Sequence, residues 1–202
     1  MLTSVVVAAT PTVPRSAVPT LVVLGDSLSA GYGIRVEQGW VAVLQARLQR
    51  QGYGVEVINA SVSGETSAGG LARLPHIIEK HHPTWLIIEL GANDGLRGLP
   101  TEELRTNLTA LVKSAKAAGV TVLLVGIRIP SNYGERYLSA FEQSFSLVAK
   151  QQHVAITPNL LAGVALEDGN FQADHLHPTA AVQSQLANTV WQALEPLMKV
   201  KH

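Results

Sequence analysis

The sequence predicts an α/β fold: a three-layer α/β/α sandwich around a mainly parallel, flavodoxin-like doubly wound sheet. Three observations carry that prediction. Short, nearly continuous apolar runs alternate with longer segments of helical periodicity. Each strand-plus-helix unit takes roughly 30 residues, the length of a right-handed β-α-β crossover. Small polar clusters follow the first three apolar runs, at the strand ends where ligands of such sheets bind.

Leu21 to Leu24 is apolar without interruption and closes at Gly25, as in a strand buried on both faces. Trp40, Val41, Leu44 and Leu48 recur at helical spacing, with Trp40 as the core anchor and Gly52 as the stop. Val55 to Ile58 reads as the second strand. A helix then runs from near Ser67 to about Lys80, ahead of Pro83, and Trp85 to Leu90 is the third strand. Thr101 reads as an N-cap, with Glu102 and Glu103 in the first turn, where negative charge suits the helix dipole. Leu104, Leu108, Leu111 and Ala115 form that helix's inward stripe, and Gly119 ends it. Val120 to Ile127 is the fourth strand, followed by a helix from about Glu135 to Gln151 and a short strand near Val154 to Ile156. Val182, Leu186, Val190, Leu194 and Leu197 mark a closing helix entered through Pro178 and Thr179.

With 202 residues, 47% hydrophobic and 15% charged, the chain can bury enough surface to fold as one domain, and disorder is excluded. We expect that domain over residues 21–202, behind a flexible leader or signal-peptide remnant over 1–20. Leu2 to Ala9 is a short apolar stretch ending in small residues, with Pro11, Pro14 and Pro19 close by. No Lys or Arg precedes it, so an ordinary tail is an equal alternative. A net charge of zero argues against a nucleic-acid partner. The absence of cysteine excludes disulfides, thiol nucleophiles and thiolate metal sites. No apolar run reaches the length of a membrane span.

Past the first strand comes Gly25-Asp26-Ser27-Leu28-Ser29, past the second Asn59-Ala60-Ser61-Val62-Ser63-Gly64-Glu65-Thr66, and past the third Gly91-Ala92-Asn93-Asp94-Gly95. Each alone is an ordinary turn. The topology brings all three to one edge of the sheet. Asp174-His175-Leu176-His177-Pro178 lies ahead of the closing helix. An Asp three residues before a His can turn its carboxylate onto Nδ1, which fixes the tautomer and leaves Nε2 as a base. Pro178 keeps His177 out of helical geometry. His175 is a second candidate base. Asp26 and Asp94 read as braces of their own turns, and His81, His82 and His153 as surface residues near helix ends. Gly31-Tyr32-Gly33 is a weak dinucleotide-loop signal, because the third glycine is missing.

These blocks, in this order, resemble the SGNH hydrolases, or G-D-S-L esterase/lipase family, and especially its small bacterial periplasmic thioesterase and lysophospholipase members. The likeness runs from about Leu21 to Pro196. It includes Gly70-Leu71-Ala72-Arg73-Leu74-Pro75, Asn93-Asp94-Gly95-Leu96-Arg97-Gly98 and Pro130-Ser131-Asn132-Tyr133-Gly134. The resemblance implies Ser27 as nucleophile, His177 as general base and then acid, and Asp174 as its orienting carboxylate. It implies an oxyanion hole made by the Ser27 and Gly64 backbone N–H groups and the Asn93 amide. The chemistry is consistent: a serine hydroxyl needs a neighbouring base, and fixed donors stabilise the oxygen that becomes negative. Gly64 leaves its N–H open to close approach, and Asn93 is a neutral donor. The G-x-S-x-G elbow of α/β-hydrolases is absent, since G-D-S-L-S lacks its second glycine.

The resemblance also implies an acyl groove under a mobile loop, for which Leu99, Ile129, Pro130 and Tyr133 are the candidate substrate-binding residues. Family members usually carry a small residue, often glycine, where this chain has His175. The implied activity is hydrolysis of small-molecule acyl esters, thioesters or lysophospholipids through an acyl-enzyme, with no cofactor and no metal. A monomer, periplasmic or secreted, is expected. Two rivals stand: a carbohydrate O-acetylesterase with an open polar site, and a non-catalytic lipid- or carbohydrate-binding module on the same fold.

Overall fold

The computed structural model describes residues 18–199 except 166 and 168. The expected leader therefore lies, up to residue 17, outside the described residues. Strands β1 (Thr20–Gly25), β2 (Glu56–Asn59), β3 (Trp85–Glu89), β4 (Thr121–Val125) and β5 (Ala155–Thr157) form one sheet in the order β2-β1-β3-β4-β5. All neighbours are parallel. Val22 pairs with Ile58 on one side and Leu86 on the other, Leu86 with Val122, and Leu124 with Ile156. This is the flavodoxin-like order. Every residue of β1 and β3 is buried, which is why their sequences run apolar rather than alternating.

Seven helices are described: α1 (Ser27–Ala30), α2 (Trp40–Arg50), α3 (Ser67–His81), α4 (Ala92–Leu96), α5 (Thr101–Ala117), α6 (Glu135–Gln152) and α7 (Gln183–Lys199). The chain steps one way from β1 to β2, then back across the sheet through β3, β4 and β5. Right-handed crossovers consequently put α2 on one face and α3, α5 and α6 on the other. Helix α3 packs on α5, α5 on α6, and α7 returns to lie beside α2. The stripe Leu104, Leu108, Leu111 and Ala115 is buried as expected, facing Phe141 and Phe145 from α6 in one continuous core.

Several boundaries differ from the sequence reading. Thr101 is the first helical residue and not the N-cap. Pro100 holds the cap position at φ −56°, and its carbonyl accepts from the Glu103 and Leu104 N–H groups at 3.0 and 3.3 Å. Strand β4 ends at Val125; beyond it the Gly126 N–H donates to the carbonyl of Thr157, the last residue of β5, while the Gly126 carbonyl accepts from Leu160 in the loop that follows. The last strand is Ala155–Thr157, one residue later than its apolar run suggests. The closing helix opens with a 3₁₀ turn at Ala180–Val182. The one-turn helices α1 and α4 have no sequence counterpart, since four or five residues are too few to show a period.

One buried polar contact joins the two helices of the α2/α7 layer. Trp40 is fully buried, and its backbone N–H, unpaired within the first turn of α2, donates to Gln183 Oε1 at 2.9 Å. Gln183 is 2% exposed, and its amide nitrogen reaches the Pro178 and Thr179 carbonyls. Gln183→Ala leaves that N–H unsatisfied and is expected to cost about 1–3 kcal/mol of unfolding free energy. Urea titration followed by circular dichroism checks this; an unchanged midpoint contradicts it.

Candidate active site

The three polar clusters meet at the carboxyl ends of β1, β2 and β3. Asp26 follows β1 and caps α1, its Oδ1 accepting from the Leu28 N–H at 3.0 Å. Ser27 is thereby the first residue of a single helical turn seated on the tip of a buried strand. The second Asp26 oxygen accepts from the Asn93 amide at 3.3 Å. Asp26 is fully buried. Burial pushes its pKa up from 3.8 to about 7, against the opposing pull of the Leu28 N–H, the His177 charge and the Asn93 amide.

His177 Nε2 lies 2.8 Å from Ser27 Oγ, and His177 Nδ1 lies 2.6 Å from Asp174 Oδ2. Asp174 Oδ1 also accepts from the Leu176 and His177 backbone N–H groups, each at 3.0 Å. Slight burial works to raise the Asp174 pKa, but the hydrogen bonds from His177 and Leu176 outweigh it and hold the carboxyl at about 2. A carboxylate facing Nδ1 keeps the proton there and leaves Nε2 to accept from a hydroxyl. The Tyr32 ring covers the imidazole, with ring centroids 4.5 Å apart, and the Tyr32 carbonyl is tied by Gln172 Nε2 at 2.7 Å. Tyr32 escaped the sequence reading; its only signal was the glycine pair on either side.

Asn93 is the second residue of α4, and its Nδ2 donates to the Glu65 carbonyl at 2.9 Å as well as to Asp26. Gly64 takes φ +82°, and a Cβ there would meet no described atom within 4 Å. The backbone conformation, not crowding, demands glycine. Its carbonyl accepts from the Arg97 guanidinium at 3.0 Å, while Arg73 donates to the Ala60 carbonyl and pairs with Glu65 at 3.2 Å. Three side chains thus pin the loop between β2 and α3. Asp94 braces the same region, accepting from the Ser67 N–H at 2.8 Å and the Ser67 hydroxyl at 2.5 Å.

A pocket of about 210 Å³ opens over these groups, bounded by Ser27, Gly64, Asn93 and His177 on its polar side and by Ile129, Pro130, Leu161 and Leu176 on its apolar side. Ile129 and Pro130 thus line the pocket. Leu99 and Tyr133 lie outside its lining. The Tyr133 hydroxyl donates to the Leu96 carbonyl at 2.7 Å, and the Leu99 carbonyl accepts from Tyr137 at the same distance, so both brace the loop behind the wall. His175 is exposed at φ +57° and lines a neighbouring groove of about 1340 Å³ rather than this pocket. That left-handed backbone is one glycine adopts freely.

The model of the GDSL-like lipase/acylhydrolase family matches residues 23–184. The chain is 48% identical over 184 residues to the esterase TesA of Pseudomonas aeruginosa, covering 91% of this chain and 92% of that protein. It is 40% identical over 183 residues to the thioesterase 1/protease 1/lysophospholipase L1 of Escherichia coli K12, covering 91% and 86%. The crystal structure of the psychrotrophic esterase EstA from Pseudoalteromonas, inhibited by monoethylphosphonate, superposes with a TM-score of 0.84 at 40% identity, covering 89% and 98%.

The raised pKa of Asp26 has a thermodynamic consequence. Between 3.8 and about 7 the folded state binds a proton that the unfolded state has released, so unfolding free energy falls as pH rises through that window. Glu89, raised by burial, acts in the same direction, whereas Asp174 contributes stability above 3.8 that is lost as pH falls through about 2. Asp26→Asn is expected to flatten the decline of Tm between about pH 5 and about pH 8. Thermal melts across that range check this, and an unaltered slope contradicts it.

Proposed function

The chain belongs to the GDSL-like lipase/acylhydrolase family, and from that premise we propose that Ser27, His177 and Asp174 are its nucleophile, base and orienting carboxylate. It is a hydrolase of esters, as its relatives named esterase, arylesterase and thioesterase/lysophospholipase are. One observation carries the assignment of roles: an unbroken line of hydrogen bonds, 2.6 and 2.8 Å long, from Asp174 through His177 to a serine 150 positions away in the sequence.

In this reading Ser27 Oγ attacks the acyl carbonyl as its proton passes to His177 Nε2. The carbonyl oxygen becomes negative beside the Ser27 and Gly64 N–H groups and the Asn93 amide, which turns one N–H toward it from the longer of its two bonds, that to Asp26. As the tetrahedral species collapses, Nε2 returns the proton to the departing alcohol or thiol, leaving Ser27 acylated. Water then repeats the cycle: Nε2 takes its proton, the hydroxide oxygen bonds to the acyl carbon, and Ser27 leaves with the proton restored. No cofactor takes part. The apolar wall of Ile129, Pro130, Leu161 and Leu176 suits an acyl chain better than a sugar-bound acetyl group. Substrates of the proposed reaction are acyl esters, thioesters and lysophospholipids. A monomer exported to the periplasm or beyond completes the proposal. Among the described residues no helix is long and apolar enough to cross a membrane.

Ser27→Ala is expected to lower turnover by about 10⁶ and abolish fluorophosphonate labelling. Asn93→Ala is expected to cost about 10²–10³. Near-normal esterase activity in either purified variant refutes the corresponding role. On p-nitrophenyl esters the C8 to C16 chains should exceed acetate in kcat/KM, and a strong preference for acetate would favour the O-acetylesterase. His175→Gly, at a position outside the pocket, should keep turnover within about threefold; a loss as large as that of His177→Ala would make His175 the base.

A further inference from the structure

We propose that Glu89 is a positioning residue for the nucleophile, tying the Asp26–Ser29 turn to the end of β3 so that Ser27 stays aimed at His177 and the oxyanion donors. The inference rests on the reading of Ser27 as nucleophile. Glu89 is fully buried at the end of a strand whose other members are Trp, Leu and Ile. Its Oε2 accepts from the Ser29 hydroxyl at 2.6 Å and from the Asp26 N–H at 3.5 Å. Those two residues bracket Ser27, one before it and one two places after. From the other side, Asn59 at the end of β2 donates to the Ser29 carbonyl at 2.7 Å. The turn that carries the nucleophile is therefore gripped by side chains from both strands flanking β1.

The contact needs room that only glycine at position 25 leaves. A Cβ there would stand 2.8 Å from Glu89 Oε2 and 2.7 Å from both Ser29 Cβ and Oγ. The other Glu89 oxygen, Oε1, is buried with no hydrogen-bond partner among the described residues. A half-satisfied buried carboxyl costs free energy that a leucine would not, so packing gives no reason for it. The titratable groups facing this turn are Asp26 and Glu89 themselves, with His177 and Asp94 acting on Asp26. Burial, then the neighbouring Asp26 charge, drives the Glu89 pKa well above its ordinary value.

The test uses the full chain as wild type, Ser27→Ala, Glu89→Ala, Glu89→Gln and Ser29→Ala. It reads kcat and KM on p-nitrophenyl butyrate, fluorophosphonate labelling rate, pH–rate profile and Tm. Glu89→Ala is expected to lower kcat and labelling rate by about 10²-fold with KM within about threefold, the scale for a misaimed reacting group. Glu89→Gln, isosteric and neutral, should recover most of that loss with the pH–rate profile unshifted. Ser29→Ala should lower kcat about fivefold or more at an unchanged Tm. Wild-type kcat in folded Glu89→Ala beside an inactive Ser27→Ala overturns this inference alone. So does a loss confined to KM or Tm. If Glu89→Ala does not fold, wild-type kcat in Ser29→Ala overturns it equally. Activity persisting in Ser27→Ala overturns the nucleophile reading and this inference with it.

Discussion

Placing β1 between β2 and β3, with all three running the same way, forces three carboxyl ends into one small area. Everything chemical in the molecule depends on that placement. Ser27 leaves β1, the Gly64 loop leaves β2 and Asn93 leaves β3, each within a few residues of its strand. No long insertion is needed to bring them together. Because β1 and β3 are buried along their whole length, their tips cannot shift without breaking ladder hydrogen bonds and packing. In the proposed reaction, groups set on such tips stay where the fold puts them before the substrate arrives, the condition under which hydrogen bonds to a developing oxyanion are most effective.

The same convergence concentrates carboxyl groups in the interior, and they are handled in two ways. Asp94 accepts two hydrogen bonds from Ser67, so it anchors the start of α3 and leaves neither oxygen idle. Burial raises both Asp26 and Glu89, and the Asp26 charge raises Glu89 further. Such a pair holds local geometry at the expense of global stability, the usual direction of exchange at a reacting centre. The core beneath is large enough to absorb the loss. Fully buried Trp40, Phe141 and Phe145 flank strands in which all but one of the residues from Leu21 to Leu24 and Leu86 to Leu90 are apolar.

What the sequence discloses follows from the range of each interaction. The run Leu21–Leu24 and the stripe Leu104–Ala115 were legible because burial on two faces and on one face leave different periods. Thr101 misled because capping depends on whether the preceding carbonyl already takes the first-turn donors, which Pro100 does. Spacing and place after strands made the polar clusters and the Asp174–His177 pair visible, while the candidate triad and oxyanion roles came from the family resemblance. Tyr32 was not visible, since its contact with His177 is made by packing two loops that are distant in sequence. Glu89 could have been suspected: a lone acid inside an apolar run is a signal, though its partners Ser29 and Asp26 are not readable from it. Leu99 and Tyr133 show the converse limit. A loop residue bordering a site can face the ligand or, through its side chain as at Tyr133 or its carbonyl as at Leu99, hold the loop behind it, and the sequence does not separate the two.

The order in which the site closes is also set by range. Asp174 and His177 are three residues apart, joined by two hydrogen bonds, with a third from the Leu176 N–H to the same carboxylate, all within a single turn. The bridge between Phe171 and Pro178, and the Gln172 N–H to the His177 carbonyl at 2.8 Å, fold that turn on itself. His177 thus comes oriented by local structure, and its contacts from far along the chain are the Ser27 hydroxyl and the Tyr32 ring. His175 sits inside this turn at φ +57°, a conformation that costs a non-glycine residue roughly 1–2 kcal/mol. That strain is confined to the backbone of a residue whose side chain faces the other groove. The bonds orienting His177 run through Asp174, Leu176 and Gln172, on either side of it. A bulky residue is therefore tolerated there without disturbing the imidazole.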